Sequence, residues 1–544
     1  MRELSAARMI FSAGPGRIAL NDEGVIVGAR HRTRPDEDYL RDAAGVSAWL
    51  EGTSVSWGEP DIQQDADEVQ IDWHWQDRLR LTVRHAFTAG WGMRMALINL
   101  TAEPQLLDAV DLSLQIAPSH IGWGLAAGRE AAFSVHPADG GSPVLAGLLQ
   151  VGSIAGFSPA GAQLGGVELV PYGRYVLSWQ WAWYPNPRAF GRGRHSGVPN
   201  SFFLITEQPA RITAGPDTAV VAPGLSVLAD DGDTIELQAS VPGVYTVELR
   251  SATGAVGYSL FAADPPDVFL NALAIDLLNG PRTPAGVVRI EDVAAGLVVQ
   301  HALSEGRLEQ PEEAADALAR LAGRISQTRN VDPLALAFLT GQAVAEGDVD
   351  LLDTVVTGLL GCSSAVPGLG LAALRLRAAS LVLGVATRGA IERLRTLIDS
   401  SDAGRANRSA EDQDPMVAGD LAKLELAIIV GSSEFRDKAE PDVHALVGRL
   451  GLQLGAGLKG RPVVPIELVE LAQITVVLDL LPERLGAAFG RHWLCSPGEL
   501  GRRARTEVIN RCSHRQERRA GRSETPDTIR QAAAWLALGQ STAG

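Results

Sequence analysis

The sequence predicts a multidomain protein of the β-then-α class, in which an N-terminal antiparallel β supersandwich precedes an all-α domain of helical hairpins. Tryptophan, which favours strands, is concentrated at one end of the 544 residues: nine of the eleven tryptophans lie at or before Trp183. No tyrosine follows Tyr258. After the breaker Asp264-Pro265-Pro266 the apolar period changes from two residues to that of a helix.

Short strands are predicted throughout the first half of the chain. Apolar and polar residues alternate in segments 69–75, 80–84 and 175–181, and turns rich in glycine, proline and aspartate separate such segments. Many short strands with these turns are typical of an antiparallel sandwich. Residues 1–210 are too many for one simple sandwich, so we expect a large two-sheet supersandwich there.

A smaller β unit is predicted for residues 211–265, where segments 234–238 and 244–249 also alternate. The pattern fits two arrangements. The segment is either an immunoglobulin-like unit or the last strands of the larger sandwich.

Residues 266–544 are predicted to be all helical. Helix starts are indicated at Pro311, at Asp332-Pro333 and at Asp348, because proline in the first turn and aspartate just before it are typical of helix N-termini. Helical hairpins in the number predicted here form either an α/α toroid or a solenoid. The sequence leaves both open.

Composition restricts the function classes. The formal net charge is −16, which disfavours binding to nucleic acid or to an anionic membrane surface. Three cysteines are too few for a disulfide framework. No run of about 18 apolar residues is present, and the first residues lack the apolar core of a signal peptide. The cytoplasm is the expected compartment.

An aromatic and cationic segment is the first candidate site. Trp179, Trp181 and Trp183 are two residues apart on a predicted strand, so their rings share one face and could form a platform for sugar rings. The long polar loop that follows contributes arginines and a histidine. The same tryptophans equally fit the core of a large sandwich. The predicted substrate-binding residues are Trp181, Trp183, Tyr184, Arg188, Arg192, Arg194 and His195.

Carboxylates near the start of the helical part are the second candidate site. Cleavage of a glycosidic bond by hydrolysis needs one carboxyl group as acid and another as base or nucleophile. Glu291 and Asp292 are the predicted catalytic pair. They are adjacent on a predicted helix, their side chains diverge by about 100°, and at most one would be catalytic. Acids at helix starts are also favoured by the helix dipole alone.

Two cysteines and two histidines could in principle bind zinc. His492 and Cys495 are followed by Cys512 and His514, a tetrahedral ligand set. The second spacing is unusually tight and the segment between the pairs looks helical. We therefore predict no metal and no other cofactor.

The segment from Arg491 to Arg522 holds nine arginines against three glutamates. A basic segment of this kind can meet nucleic acid, but aromatic residues for base stacking are almost lacking in it. A helical face that pairs with the acidic remainder of the protein explains it better. The glycines at 455, 457 and 460 match a dinucleotide motif by spacing, but they do not follow a predicted strand, so we reject that motif.

Several segments of the first half resemble one family. Gly16 to Ile26 resembles the opening hairpin of the N-terminal domain of glycogen-debranching (amylo-α-1,6-glucosidase-like) proteins. Segments 41–52, 84–87 and 95–100 are similar to the following strands of that domain. The resemblance implies a β supersandwich before an α/α toroid and activity on α-glucans. The helical half departs from the family pattern, and none of its carboxylates matches the family's catalytic positions.

Two function hypotheses follow. The first is a carbohydrate-active protein, a glycoside hydrolase acting on α-glucan-like oligosaccharides by acid/base chemistry. The second is a non-enzymatic scaffold whose helical domain docks a protein partner, which the scarcity of aromatic residues in the helical half favours. The expected partner is thus an oligosaccharide or a protein, with no membrane and with nucleic acid disfavoured. The oligomeric state stays open.

Overall fold

The computed structural model confirms a β-then-α architecture. It describes residues 9–542 except 89, 129, 139, 192–196, 214–217, 231–233, 252–253, 281, 283–287, 329–331, 365, 406–420, 422–423, 426–449, 452–453, 455–459, 482–494 and 515–523. Strands run to Ala263, and the long helices begin at Pro266, the last residue of the predicted breaker.

The first β unit contains sixteen strands within the described residues. They are β1 Met9–Ala13, β2 Gly16–Leu20, β3 Ile26–His31, β4 Val46–Leu50, β5 Thr53–Ser54, β6 Asp61–Gln64, β7 Glu68–Trp75, β8 Leu79–Ala86, β9 Trp91–Asn99, β10 Gln105–Ser113, β11 His120–Ala127, β12 Glu130–Pro137, β13 Val144–Val151, β14 Gly156–Ser158, β15 Gly161–Leu169 and β16 Arg174–Tyr184. Strand β24, Arg461–Pro462, comes from the helical part of the chain and joins this unit.

Two facing layers enclose the main β core. The large sheet has the order β24-β11-β12-β13-β16-β9-β8-β7-β6, and the opposite layer consists of β14-β15-β10-β4-β5 together with β1-β2-β3. Alternation sets the inner face: Leu79, Leu81 and Val83 of β8 are buried, whereas Arg80 and Arg84 point outward. The core between the layers therefore takes every second side chain of each strand.

A second β unit packs on the outer face of β11 to β13. Its strands are β17 Phe203–Ile205, β18 Ala210–Thr213, β19 Ala219–Val221, β20 Ser226–Asp230, β21 Thr234–Gln238, β22 Gly243–Ser251 and β23 Gly254–Ala263, in sheets β17-β23-β22-β19 and β18-β21-β20. Buried Leu125 and Val144 of the large sheet share one core with Leu237 and Leu260 of this unit. The division of the chain at residues 210 and 265 remains a prediction.

The helices are α1 Pro187–Gly191, α2 Pro266–Leu278, α3 Val293–Ser304, α4 Pro311–Ser326, α5 Pro333–Glu346, α6 Val349–Leu360, α7 Leu369–Leu383, α8 Arg388–Arg405, α9 Leu468–Leu480, α10 Pro497–Ser513 and α11 Pro526–Thr542. The predicted starts at Pro311, Asp332 and Asp348 are confirmed, and both aspartates accept a hydrogen bond from a backbone N–H of the first turn. Among the described residues, no helix has the length and apolarity to cross a membrane.

The helices pack around one apolar core. The last helix, α11, lies against α9 and also against α3, near the start of the helical part. Contact between the first and last helices is expected of a closed ring rather than of an open solenoid. A complete α/α toroid remains a prediction.

Helix α10 joins the helical part to the second β unit. The side-chain amide of Asn510 donates to the carbonyl of Leu204 (2.9 Å), and Nε2 of His514 lies 2.8 Å from the carbonyl oxygen of Ala262. Asn510 is buried. Hydrogen bonds from side chains to backbone carbonyls in a buried interface fix the position of one element against the other.

Candidate functional site

A small cleft of about 50 Å³ lies where the large sheet, the second β unit and the helices meet. Phe202 and Phe203 line it from the β side, Arg461 from strand β24, and Arg503 and Glu507 from helix α10. Clefts between domains are common ligand sites. The cleft combines aromatic rings with both signs of charge.

Strand β24 carries Arg461 into the cleft from the helical half. Arg461 pairs with Gly124 of β11, and the backbone N–H of Val463 donates to the carbonyl of Gly122 (2.9 Å). Gly460 precedes the strand with φ +114°, and a Cβ atom there would lie 2.4 Å from the carbonyl oxygen of Gly124. Only glycine fits this turn. The sheet edge thereby fixes the position of Arg461.

The guanidinium of Arg461 lies over three phenyl rings. The distances from Cζ to the ring centroids are 5.5 Å for Phe202, 4.7 Å for Phe203 and 5.0 Å for Phe261. Attraction between the cation and the ring faces holds the side chain. Burial lowers the pKa of Arg461, and Glu507 partly offsets the effect. Protein thus surrounds much of the side chain, while the remainder is exposed to the cleft.

The N–H donors of the Arg461 guanidinium have no hydrogen-bond acceptor among the described residues. No carboxylate of the described residues lies within 4.0 Å of its guanidinium, and no hydrogen bond of that group is formed within the same part of the chain. A guanidinium carries five N–H donors in a planar fork that matches a carboxylate. An arginine that lies over aromatic rings, faces a cleft and has no carboxylate partner among the described residues is equipped to bind an anion.

Helix α10 places one positively and one negatively charged side chain at the cleft, Arg503 and Glu507. It begins after Ser496, whose hydroxyl accepts from the backbone N–H of Glu499 (3.1 Å). Arg503 and Glu507 are four residues apart and so share one helix face. Arg503 pairs with Glu499. Glu507 lies 3.7 Å from Arg511.

Arg511 is engaged by several groups besides Glu507. Its guanidinium donates to the carbonyl of Ile466 (2.8 Å) and to Glu524 (2.6 Å). The pair with Glu507 is therefore loose, because the donors of Arg511 point mainly elsewhere. Glu507 keeps 29% of its side-chain surface exposed, toward the cleft.

The carboxyl group of Glu507 exchanges its proton at a higher pH than a solvated glutamate does. Burial raises its pKa, and the charges of Arg511 and Arg461 oppose the shift only in part. A carboxyl group of this kind can take up and release a proton under mild conditions, as a general base must. Perturbed carboxyls in clefts are candidates for functional groups.

The tryptophans of the predicted aromatic site share one face as expected, but that face is the core. Trp181 is completely buried, with its ring stacked on Trp91 at a centroid distance of 4.9 Å, and Trp179 is buried beside it. Trp181 therefore has no free ring face for a sugar, and its proposed role in substrate binding is corrected. The opposite layer of the sandwich covers the side of β16 on which the rings lie.

The other predicted binding residues do not converge. Trp183 is half-buried on the core side of the large sheet, beside His31 and Tyr39, at ring-centroid distances of 5.0 Å and 4.9 Å. Tyr184 points to the opposite side and packs on Phe190 of α1 (5.2 Å). Arg188 lies on the same short helix. Arg192, Arg194 and His195 lie outside the described residues.

The predicted catalytic pair sits at the start of α3, in a different part of the molecule from the cleft lining. Asp292 accepts from the backbone N–H of Ala295 (2.7 Å) and lies 3.0 Å from Nε of Arg530. Glu291, one residue earlier, is exposed. Asp292 accepts from an N–H of the first helical turn, so its position at the start of a helix is explained without a catalytic role. Catalysis by either residue remains a prediction.

The candidate zinc ligands do not form a metal-binding cluster within the described residues. Cys495 and Cys512 are buried, and Nε2 of His514 lies 2.8 Å from the carbonyl oxygen of Ala262. His492 lies outside the described residues. Within the part of the chain that the structure describes, no three His, Cys, Asp or Glu side chains are grouped as metal ligands.

Neither a family model nor a curated protein matches this chain by sequence. Among solved structures, a polysaccharide lyase matches over 92% of this chain and 93% of its own, with a TM-score of 0.67 and 12% identity. This likeness shows a shared fold along nearly the whole length, and it confirms the β-then-α class. At this identity it shows the fold alone.

Two further structures match at lower similarity. A galactose mutarotase-like protein from Clostridium acetobutylicum covers 32% of this chain and 94% of its own, at 8% identity and TM-score 0.22. A protein described as a kojibiose phosphorylase, from the human microbiome, covers 98% of this chain and 86% of its own, at 7% identity and TM-score 0.27. Scores this low carry no argument.

Proposed function

We propose that this protein is a carbohydrate-active enzyme that binds a carboxylated oligosaccharide in the cleft and cleaves it by elimination. The observation that carries the proposal is the guanidinium of Arg461, held over three phenyl rings and facing the cleft without a carboxylate partner among the described residues. The likeness of the fold to a polysaccharide lyase supports it by analogy.

Recognition would rest on a uronate carboxylate. The planar fork of Arg461 can donate two parallel hydrogen bonds to such a group, which adds geometric selectivity to the attraction of opposite charges. Phe202 and Phe203 fix the plane of the fork from below. A neutral sugar would leave the charge of Arg461 uncompensated, and so would bind less well.

Elimination would use Glu507 as the base. Its carboxylate takes the proton from the sugar carbon next to the bound carboxylate, and the freed electron pair forms a C=C bond to the neighbouring carbon. The glycosidic C–O bond of that carbon breaks, and its oxygen leaves with the proton returned by Glu507. Arg461 and Arg503 stabilise the negative charge that develops on the substrate carboxylate. Proton abstraction beside a carboxylate needs such compensation.

The test is a panel of polyuronates and α-glucans incubated with the purified protein. Elimination forms one unsaturated sugar, which absorbs ultraviolet light, for each new reducing end. We expect both signals from a polyuronate and neither from a glucan. Reducing ends without ultraviolet absorbance would contradict elimination and indicate hydrolysis.

Hydrolysis of an α-glucan is the more specific alternative that the resemblance to debranching proteins implies. It would use Glu291 or Asp292 at the start of α3. The engagement of Asp292 by Ala295 and Arg530 weighs against it, because a catalytic carboxyl must be free to exchange its proton. A protein that neither binds nor cleaves any glycan of the panel would instead support the scaffold hypothesis.

A further inference from the structure

Arg511, near the end of helix α10, is engaged by three groups. Its Nη1 donates to the carbonyl of Ile466 (2.8 Å), and its Nη2 donates to Oε1 of Glu524 (2.6 Å), two residues before α11. Oε1 of Glu507 is farther away, 3.7 Å from Nη1. Two carboxylates therefore compete for one guanidinium, and the distances favour Glu524.

Little water reaches this competition. The side chains of Arg511 and Glu524 are 19% and 16% exposed, and that of Glu507 is 29% exposed. Charges in such a place interact more strongly than on an open surface, because water and salt screen them less. The partner that Arg511 takes thus decides how far the carboxylate of Glu507 is stabilised. A closer pair would make Glu507 a weaker base, because a neighbouring cation favours the ionised form of a carboxyl group.

We propose that Glu524 is a positioning residue for the base of the cleft: by binding Arg511, it keeps the guanidinium from closing on Glu507. The inference rests on the proposed function for the role of Glu507 as base. Glu524 is not part of the cleft lining. It acts on the base through Arg511 and not by contact with the substrate.

Several other charged groups surround Glu507. Of the described charges, those of Arg511 and of Arg461 on β24 lower its pKa, against the larger effect of burial. Strands β17 and β23 also pack against α10, and they carry no charged side chain. Glu470 of α9 titrates near neutral pH, because burial and Glu467 raise its pKa to about 7. The pKa of Glu507 is not shifted by Arg503 of α10 or, on the helices packed against it, by Asp479, Asp527, Arg530, Asp267 or Asp276.

The experiment follows the protonation of Glu507 by carbon-13 NMR of full-length protein labelled at the glutamate side-chain carboxyls. The Glu507 signal is the one that the Glu507→Gln variant lacks, which separates it from Glu470. In Glu524→Gln, Arg511 keeps an acceptor of the same shape but loses its charged partner, so it moves toward Glu507. We expect the titration midpoint of Glu507 to fall by about one pH unit.

Three comparisons separate this mechanism from a general loss of charge. Glu313→Gln breaks an ion pair of similar length, 2.8 Å to Arg282, and should leave the midpoint unchanged. Glu524→Asp keeps the charge and should keep the midpoint close to the wild-type value. In an Arg511→Gln background, the effect of Glu524→Gln should vanish, because the cation that transmits it is absent. Thermal melting verifies folding, and if Arg511→Gln does not fold, the comparison of Asp with Gln at position 524 decides.

The role of Glu524 would be overturned by an unchanged midpoint in Glu524→Gln, or by an equal fall in Glu313→Gln or Glu524→Asp. A fall that persists without Arg511 would also overturn it, because Glu524 would then act by its own charge. The NMR titration needs no ligand. If the protein neither binds nor cleaves a galacturonate oligomer while the midpoint still moves as expected, the proposed function fails and the control of Glu507 by Glu524 stands.

Discussion

Arg461 owes its environment to residues that lie far from it in the sequence. Its rings come from positions 202, 203 and 261, and its strand partner from position 124. Nothing in the local sequence around Arg461-Pro462 distinguishes it from a loop arginine. The tryptophans of β16 show the reverse: their period of two correctly predicts a common face, but periodicity cannot tell which side a second layer covers.

At the same scale, the binding of a carboxylated sugar should weaken with rising pH. Burial raises the pKa of Glu507 in the folded protein above its ordinary value, so its proton is lost at a higher pH than that of a solvated glutamate. As pH rises through the raised pKa, the cleft gains a negative charge and repels an anionic ligand. Calorimetric titration of a galacturonate oligomer from acid to neutral pH measures this.

The matched variant is Glu507→Gln, which is neutral at every pH. It should bind the oligomer with a flat pH profile and should lose elimination, because the base is gone. A pH profile that keeps its slope in Glu507→Gln would show that another group causes it.

At the scale of helices and strands, the boundaries that the sequence predicts correctly are those set by residues close to them in the chain. The helix starts at Asp332 and Asp348 follow from side-chain capping that acts within three residues. Those at Pro311 and Pro266 follow from proline, which fits the first turn of a helix because the N–H that it lacks would be unpaired there. Strand β24 has no such signal, because two residues become a strand only when a distant sheet edge offers them partners.

Asp292→Ala should destabilise the protein without abolishing catalysis. The change removes the side-chain acceptor at the start of α3 and an ion pair with Arg530. Loss of such a cap costs about 1 kcal/mol. Glu291→Ala, the neighbouring control, should leave the melting temperature unchanged, since that residue is exposed. Thermal unfolding and the elimination assay are run on both. Loss of turnover in a folded Asp292→Ala or Glu291→Ala variant would restore the sequence-based catalytic prediction.

Gly460→Ala should detach Arg461 from its position. The added Cβ would lie 2.4 Å from the carbonyl oxygen of Gly124 at a positive φ of 114°, so β24 must shift or leave the sheet edge. We expect affinity for the galacturonate oligomer to fall by about tenfold or more. Gly498→Ala is the control, because a Cβ there meets no other atom within 4 Å. Equal affinity in the two variants would contradict the role given to β24.

The molecule as a whole places its cleft where three parts of the chain meet. The overall class follows from the sequence because the distribution of tryptophan and the change of period extend over hundreds of residues and survive local errors. The cleft cannot be predicted from the sequence, because it depends on how β24 and α10 dock on distant strands. The full-length likeness to a polysaccharide lyase at 12% identity shows that the overall fold persists when most residues differ.

Docking of α10 on the second β unit should be coupled to the cleft. Asn510→Ala removes a buried hydrogen bond to the carbonyl of Leu204 and leaves that acceptor unsatisfied, at a cost of about 1–3 kcal/mol. Because Glu507 lies one turn earlier on the same helix, oligomer affinity should fall together with stability. Denaturant unfolding and calorimetry measure the two. A stability loss with unchanged affinity would show that the cleft tolerates movement of α10.

The most direct test of the cleft is calorimetric titration of a galacturonate oligomer into the wild-type protein, Arg461→Ala and the control Arg502→Ala, an exposed arginine on α10. Losing the hydrogen bonds of one charged group to a carboxylate costs about 1.5–3 kcal/mol, which is about a tenfold to hundredfold loss of affinity. We predict that loss for Arg461→Ala and none for Arg502→Ala, with both proteins folded by thermal melting. Equal affinity in all three proteins would contradict the assignment of the cleft as the site for a carboxylated sugar.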